Sequence, residues 1–178
     1  MSGADANGSH NGGLNEMVVE SVRVHMLSSQ HVVILRDTGH NRYLPIWIGP
    51  WEANAIAMRL QGVTPERPMT HDLFSQTLVE LGVTVKQIIV SDLAEDTFRA
   101  RLLLQLAGRD LELDARPSDA IALAVRTGVP IFATDSVLER AGVVPDGAQE
   151  EKLSVFREFV NSLAVDLPDE SSEGRRSD

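Results

Sequence analysis

The residues best suited to chemistry lie in one short run, Asp114-Ala115-Arg116-Pro117-Ser118-Asp119, where a β-like stretch gives way to a helix opened by proline. Two carboxylates across such a turn can bind a divalent metal through oxygen ligands. Arg116 carries a planar fork that matches phosphate, and the free N–H groups of a helix start favour anions. Metal-assisted phosphodiester cleavage needs these parts: carboxylates to hold the ion, and a cation to steady charge on the transferring phosphoryl group. Glu52, at the start of an earlier Pro-opened helix, and the adjacent His71 and Asp72 extend the set. Of the histidines, only His71 is placed to act as an acid or base. Every one of these acids also has a plain structural reading. Glu52, Asp72 and Asp119 fall in first helical turns, where capping and the helix dipole favour carboxylates, and Ser118 or Asp119 could cap. Asp114 with Arg116 would also serve as a structural ion pair. Trp47 and Trp51 flank the first Pro-opened helix and suit core or interface packing, or base stacking.

What the chain lacks narrows the choice. There is no GxxxxGKS/T phosphate loop, no GxGxxG, no GxSxG and no HExxH, which thins out the corresponding nucleotide-binding enzymes, serine hydrolases and zinc proteases. With no cysteine, disulfides, thiolate metal sites and a cysteine nucleophile are excluded. No apolar run approaches a membrane span, and the N-terminus lacks the basic and apolar regions of a signal peptide, so a soluble, cytoplasmic protein is expected. The formal charge of −10 argues against coating nucleic acid by bulk charge. That charge is uneven: residues 145–178 hold nine acids and four bases, hence −5, and the rest of the chain holds the other −5.

The elements that must position the acids follow from periodicity and turn chemistry. Residues 17–27 alternate, which predicts a strand with Val18, Val22, Val24 and Met26 facing a core. HVVILRD and RYLPIWI, separated by TGHN, predict a hairpin. Pro50 opens a helix to Leu60, and Thr70 is placed to cap a second over residues 71–81. The pattern then recurs: a strand over 83–93, a hairpin turning at AGRD, a helix from Pro117 to Thr127, a short VPIF strand and a short helix capped by Thr134 or Asp135. The helix starts PWEANAIAMR and PSDAIALAVR agree at five of ten positions with an offset of 67 residues. An internal duplication of strand–hairpin–helix units is therefore expected, forming a mixed sheet packed by helices in an α+β fold. The expected organisation is a tail over 1–13, a domain over 14–146, an amphipathic helix over 147–165 and an acidic tail over 166–178. In that C-terminal helix Leu153, Phe156, Val160 and Leu163 share one face.

Three blocks in order, RYLPIWIGPWEANAIAMRLQGV, RPMTHDLFSQTLVELG and ELDARPSDAIALAVRTGVPIF, resemble the bifunctional nuclease domain family. The resemblance runs over residues 17–145. It implies an α+β fold, a homo-oligomer, and nuclease activity on DNA and RNA. Glu52, His71, Asp72, Asp114, Arg116 and Asp119 lie inside its characteristic blocks as candidate catalytic residues. A divalent metal, Mg or Mn, on Asp114, Asp119 and Glu52 is the corresponding expectation, with no organic cofactor. If the halves are related by a pseudo-twofold axis, the helix starts carrying Glu52 and Asp119 would meet in one composite acidic site. A non-enzymatic oligomeric binding module remains the alternative, since capping explains the same acids.

Overall fold

Two antiparallel ladders, each a three-stranded meander, make up most of one seven-stranded mixed sheet with strand order β3-β2-β1-β7-β4-β5-β6. The computed structural model describes residues 13–25 and 28–145. The first ladder comprises β1 (Leu14–His25), β2 (Gln30–Asp37) and β3 (Tyr43–Ile48), followed by α1 (Pro50–Leu60) and α2 (Thr70–Glu80). The second comprises β4 (Val83–Ala94), β5 (Thr97–Leu106) and β6 (Arg109–Ala115), followed by α3 (Pro117–Thr127), β7 (Ile131–Thr134) and α4 (Asp135–Ala141). The α+β class and the order of elements agree with the sequence reading. The expected C-terminal helix and acidic tail, and residues 1–12 of the N-terminal tail, lie outside the described residues.

Tight turns with positive φ close the second meander. Glu95-Asp96 joins β4 to β5, and Ala107-Gly108 joins β5 to β6. Paired left-handed residues match the right-handed twist of the flanking strands. The β2–β3 turn is built differently. Asp37, only 2% exposed, accepts from the backbone N–H groups of Gly39 and His40 and from Arg42. Burial alone would raise its pKa, but these hydrogen bonds outweigh burial and the net shift is downward.

β7 joins the two ladders, antiparallel to β1 and parallel to β4. Alternate positions of the sheet, such as Val33, Leu35, Ile88, Val90 and Leu102, share one core with Ile56 of α1, Leu78 of α2, Ile121 and Leu123 of α3, and Val137 of α4. Helix α3 buries Ala120 to Ala124 without a break. A helix that is apolar all round is buried on all sides, and α3 does lie between the sheet and its neighbours α1 and α2.

Three local expectations are corrected. In β1 the register slips between Val19 and Ser21. Met17 and Val19 therefore meet the core before this bulge and Val22 after it, while Val18 turns the other way. Thr70 does not cap α2. It is the first helical residue, and Met69 holds the cap position, its N–H donating to Asp72 at 2.9 Å. Neither Ser118 nor Asp119 caps α3, where Arg116 stands at the cap position with no side-chain cap bond. By contrast Thr134 does cap α4, accepting from the Val137 N–H.

Candidate functional site

Strands β3 and β6 are each followed by one residue that precedes proline, and proline keeps that residue extended while fitting the first helical turn. Gly49 and Arg116 accordingly have ψ near 157° and 140°, and α1 and α3 begin at once beyond them. The two helix starts lie side by side, bridged by Arg116. Its Nη2 donates to Glu52 Oε1 at 2.7 Å and to Asp119 Oδ1 at 3.1 Å, and its Nε donates to Asp119 Oδ2 at 2.7 Å. On the far side of Asp119, His71 Nε2 lies 3.0 Å from Oδ1. Gly49 leaves space for the Glu52 carboxylate, because a Cβ there would collide with Oε2.

This cluster is graded in exposure. The His71 and Glu52 side chains are 13% and 14% exposed, Asp119 is 35% and Arg116 is 65%. The inner groups are thus held by the fold while the guanidinium faces outward. The hydrogen bond to Asp119, then that to Glu52, raises the Arg116 pKa. At Asp119 burial pushes upward, but the bonds from Arg116 and His71 prevail and hold the carboxyl below its ordinary value. Asp119 stays ionised at neutral pH and orients His71, a pairing suited to proton transfer. Among the described residues no partner engages Arg116 Nη1, which leaves its two N–H groups for an anion.

Two of the six candidates stand elsewhere. Asp72 turns from the cluster to the far end of α3, where Arg126 Nε donates to its Oδ1 at 2.6 Å. With Oδ2 capping α2, Asp72 pins two helices together, and its partners lower its pKa against the effect of burial. Asp114 pairs with Arg101 across the β5–β6 ladder, whereas the neighbouring pair Ala100–Ala115 faces the core. Side chains alternate along a strand, so Asp114 projects from the opposite face of the sheet and makes no ion pair with Arg116. The set Glu52, Asp114 and Asp119 is therefore not gathered. Among the described residues no three of His, Asp and Glu converge as a metal cage, and the space between Glu52 and Asp119 is taken by a guanidinium.

Beside the cluster opens a cavity of about 520 Å³, lined among others by His31, Trp47, Phe98, Arg116 and Ser118. The sequence reading assigned no role to Phe98 or His31. The one available signal was the repeat offset, since residues 31 and 98 are 67 apart, as are the prolines 50 and 117. Trp47 and Trp51 are exposed rather than packed in the core.

The frame and site define a domain of acids and one arginine gathered at paired helix starts. The bifunctional nuclease domain family matches this chain over residues 33–146, and the chain belongs to that family. It is 41% identical to an uncharacterized protein of Mycobacterium tuberculosis, over 86% of this chain and 97% of that one. It is 26% identical to bifunctional nuclease 1 of Oryza sativa, over 84% of this chain and 46% of that protein. A similar likeness links it to bifunctional nuclease 1 of Arabidopsis thaliana, at 27% identity over 56% of this chain and 32% of that protein.

Proposed function

We propose that this protein is a nuclease that hydrolyses phosphodiester bonds of DNA and RNA at the start of α1 and α3. The observation that carries the reading is Arg116, held by Glu52 and Asp119 with two donors left over, beside the His71–Asp119 pair. The likeness to plant proteins named bifunctional nucleases supports it. Arg116 binds the non-bridging phosphate oxygens and steadies the charge that grows on them. Water attacks phosphorus, a new P–O bond forms and the bond to the leaving oxygen breaks. His71 takes the proton from water, the leaving oxygen takes one from solvent, and the imidazolium releases its proton to solvent afterwards. Glu52 and Asp119 keep the guanidinium in place, and Asp119 also orients the imidazole. The carboxylates of Glu52 and Asp119 are closed on Arg116.

Nuclease assays on identically purified wild type, Arg116→Ala, Asp119→Asn and Glu52→Gln, with and without chelator, test this reading. Arg116→Ala should lose about 1,000-fold in rate and Asp119→Asn about 100-fold, with each variant still folded at neutral pH. Equal activity in all four proteins would mark a contaminating nuclease and favour a binding module. No helix among the described residues is long and apolar enough to cross a bilayer. The exposed apolar side chains Trp51, Leu73, Val79 and Leu81 support self-association, which sedimentation velocity would detect.

A further inference from the structure

We infer that the cavity beside Arg116 holds one unstacked nucleotide of a single strand, its phosphate against Arg116 and Ser118 and its base against Trp47 and Phe98. The inference rests on the nuclease reading and names the substrate form that the site takes. Ser118 carries it furthest. This residue is only 6% exposed and lines the cavity, and its hydroxyl has no hydrogen-bond partner among the described residues. Among the described residues Arg101 Nε alone is a fully buried side-chain atom without a partner, so the Ser118 hydroxyl opens into the cavity, where a phosphate oxygen would accept from it. The second and third residues of α1 and α3 add backbone N–H groups with no intrahelical acceptor. Prolines fill both first positions, and of these amide-bearing residues Ser118 lines the cavity itself.

The volume and lining fit a nucleotide. About 520 Å³ lies within the roughly 300–1,000 Å³ usual for small-molecule sites. Trp47 is half exposed and Phe98 half-buried, and both line the same space. Stacking on such surfaces tolerates any base, in DNA or RNA. A base inside a duplex cannot reach a cavity without leaving the stack, so the site selects single strands, loops or frayed ends. Asp96 at the rim and the acids on Arg116 keep the surroundings negative. Binding therefore rests on stacking and directed hydrogen bonds rather than on bulk charge. The cavity also draws on both halves of the chain at matched places. Residues 29, 30, 31, 49 and 50 line it together with 96, 97, 98, 116 and 117, each pair 67 positions apart.

The test is calorimetric titration with adenosine monophosphate, alongside kinetics on single-stranded and duplex oligonucleotides of one sequence. The proteins are wild type, Trp47→Ala, Ser118→Ala and Arg116→Ala, with thermal midpoints as the folding control. Trp47→Ala and Ser118→Ala should each weaken mononucleotide binding about tenfold. Trp47→Ala should raise KM on single strands by a similar factor with kcat nearly kept, and wild type should cleave single strands faster than duplex. Unchanged binding and KM in both variants, or duplex cleaved as fast as single strands, would overturn the inference. Cleavage lost in Arg116→Ala but unchanged in Trp47→Ala and Ser118→Ala would remove the cavity's role and leave the nuclease reading intact. Mononucleotide binding that the variants abolish, in a wild type that cleaves nothing, would do the reverse.

Discussion

The two halves of the chain share a backbone plan and divide the work unequally. In each, three antiparallel strands lead through a residue-Pro step into an eleven-residue helix, α1 or α3. Yet α3 buries seven residues from Pro117 to Ala124, while α1 buries only Ala53, Ala55 and Ile56. Topology explains the difference. The chain must cross from edge strand β6 to central β7 with α3 alone, whereas α1 and α2 share the crossing from β3 to β4. Residues 64–68 include Pro65 and Pro68 and form no strand, so the first half has no counterpart of β7. The functional difference lies at the cap position. Arg116 in the second half reaches across to Glu52 of the first, and Gly49 in the first half provides room for that carboxylate. Near-equivalent frames thus supply an acid each, and only one supplies the cation.

The comparison can be broken most sharply at that cation. Arg116→Ala should lower the hydrolysis rate by about 1,000-fold on both DNA and RNA, read as initial rates. A comparable rate in the variant would mean that the asymmetry at the cap position has no catalytic consequence. The difference in burial is next in size. Leu123→Ala in α3 should cost about 3 kcal/mol in urea unfolding, and Leu60→Ala at the half-exposed end of α1 well under about 1 kcal/mol. Equal losses would show that the two helices are anchored alike.

Acid sensitivity sharpens the comparison further. Asp37 in the first half, Asp119 in the second and Asp72, which ties α2 to α3, all have folded pKa values below the ordinary 3.8. A depressed carboxyl stabilises the fold above its unfolded pKa, and that contribution is lost as pH falls through the folded value. The melting temperature should therefore hold near neutrality and begin to drop as pH passes below 3.8. Asp37→Asn should lessen that drop while lowering the neutral-pH melting temperature. Gly49→Ala should have the smallest effect, a loss of about threefold in rate as the Glu52 carboxylate is pushed from Arg116. A crystal structure of the variant with the Glu52–Arg116 bond unchanged would count against that account.

Much of the frame was legible because its signals are local. Proline at the first helical position, left-handed glycines at 62, 82 and 128, and alternation in the strands located nearly every element to within a few residues. The bulge near Glu20 was not legible, because an extra residue in a ladder appears only against its partner strand. The site was legible as a vocabulary and misread as a grouping. Asp114 and Asp119 are close in sequence, but strand alternation turns the first away. Asp72, adjacent to His71, is drawn instead to Arg126, 54 residues on.

By itself the sequence determined, to within a residue or so, where helices start and strands turn, and that Glu52, Asp119 and Arg116 would lie near helix starts. These follow from φ restriction, side-chain periodicity and capping, all of which act within a few residues. Only the tertiary structure decided that Arg116 would meet Glu52 across 64 residues and that His71 would meet Asp119 across 48. Those meetings depend on how α1, α2 and α3 pack against one sheet. Packing is set by the whole buried surface, and no local stretch of chain encodes it alone.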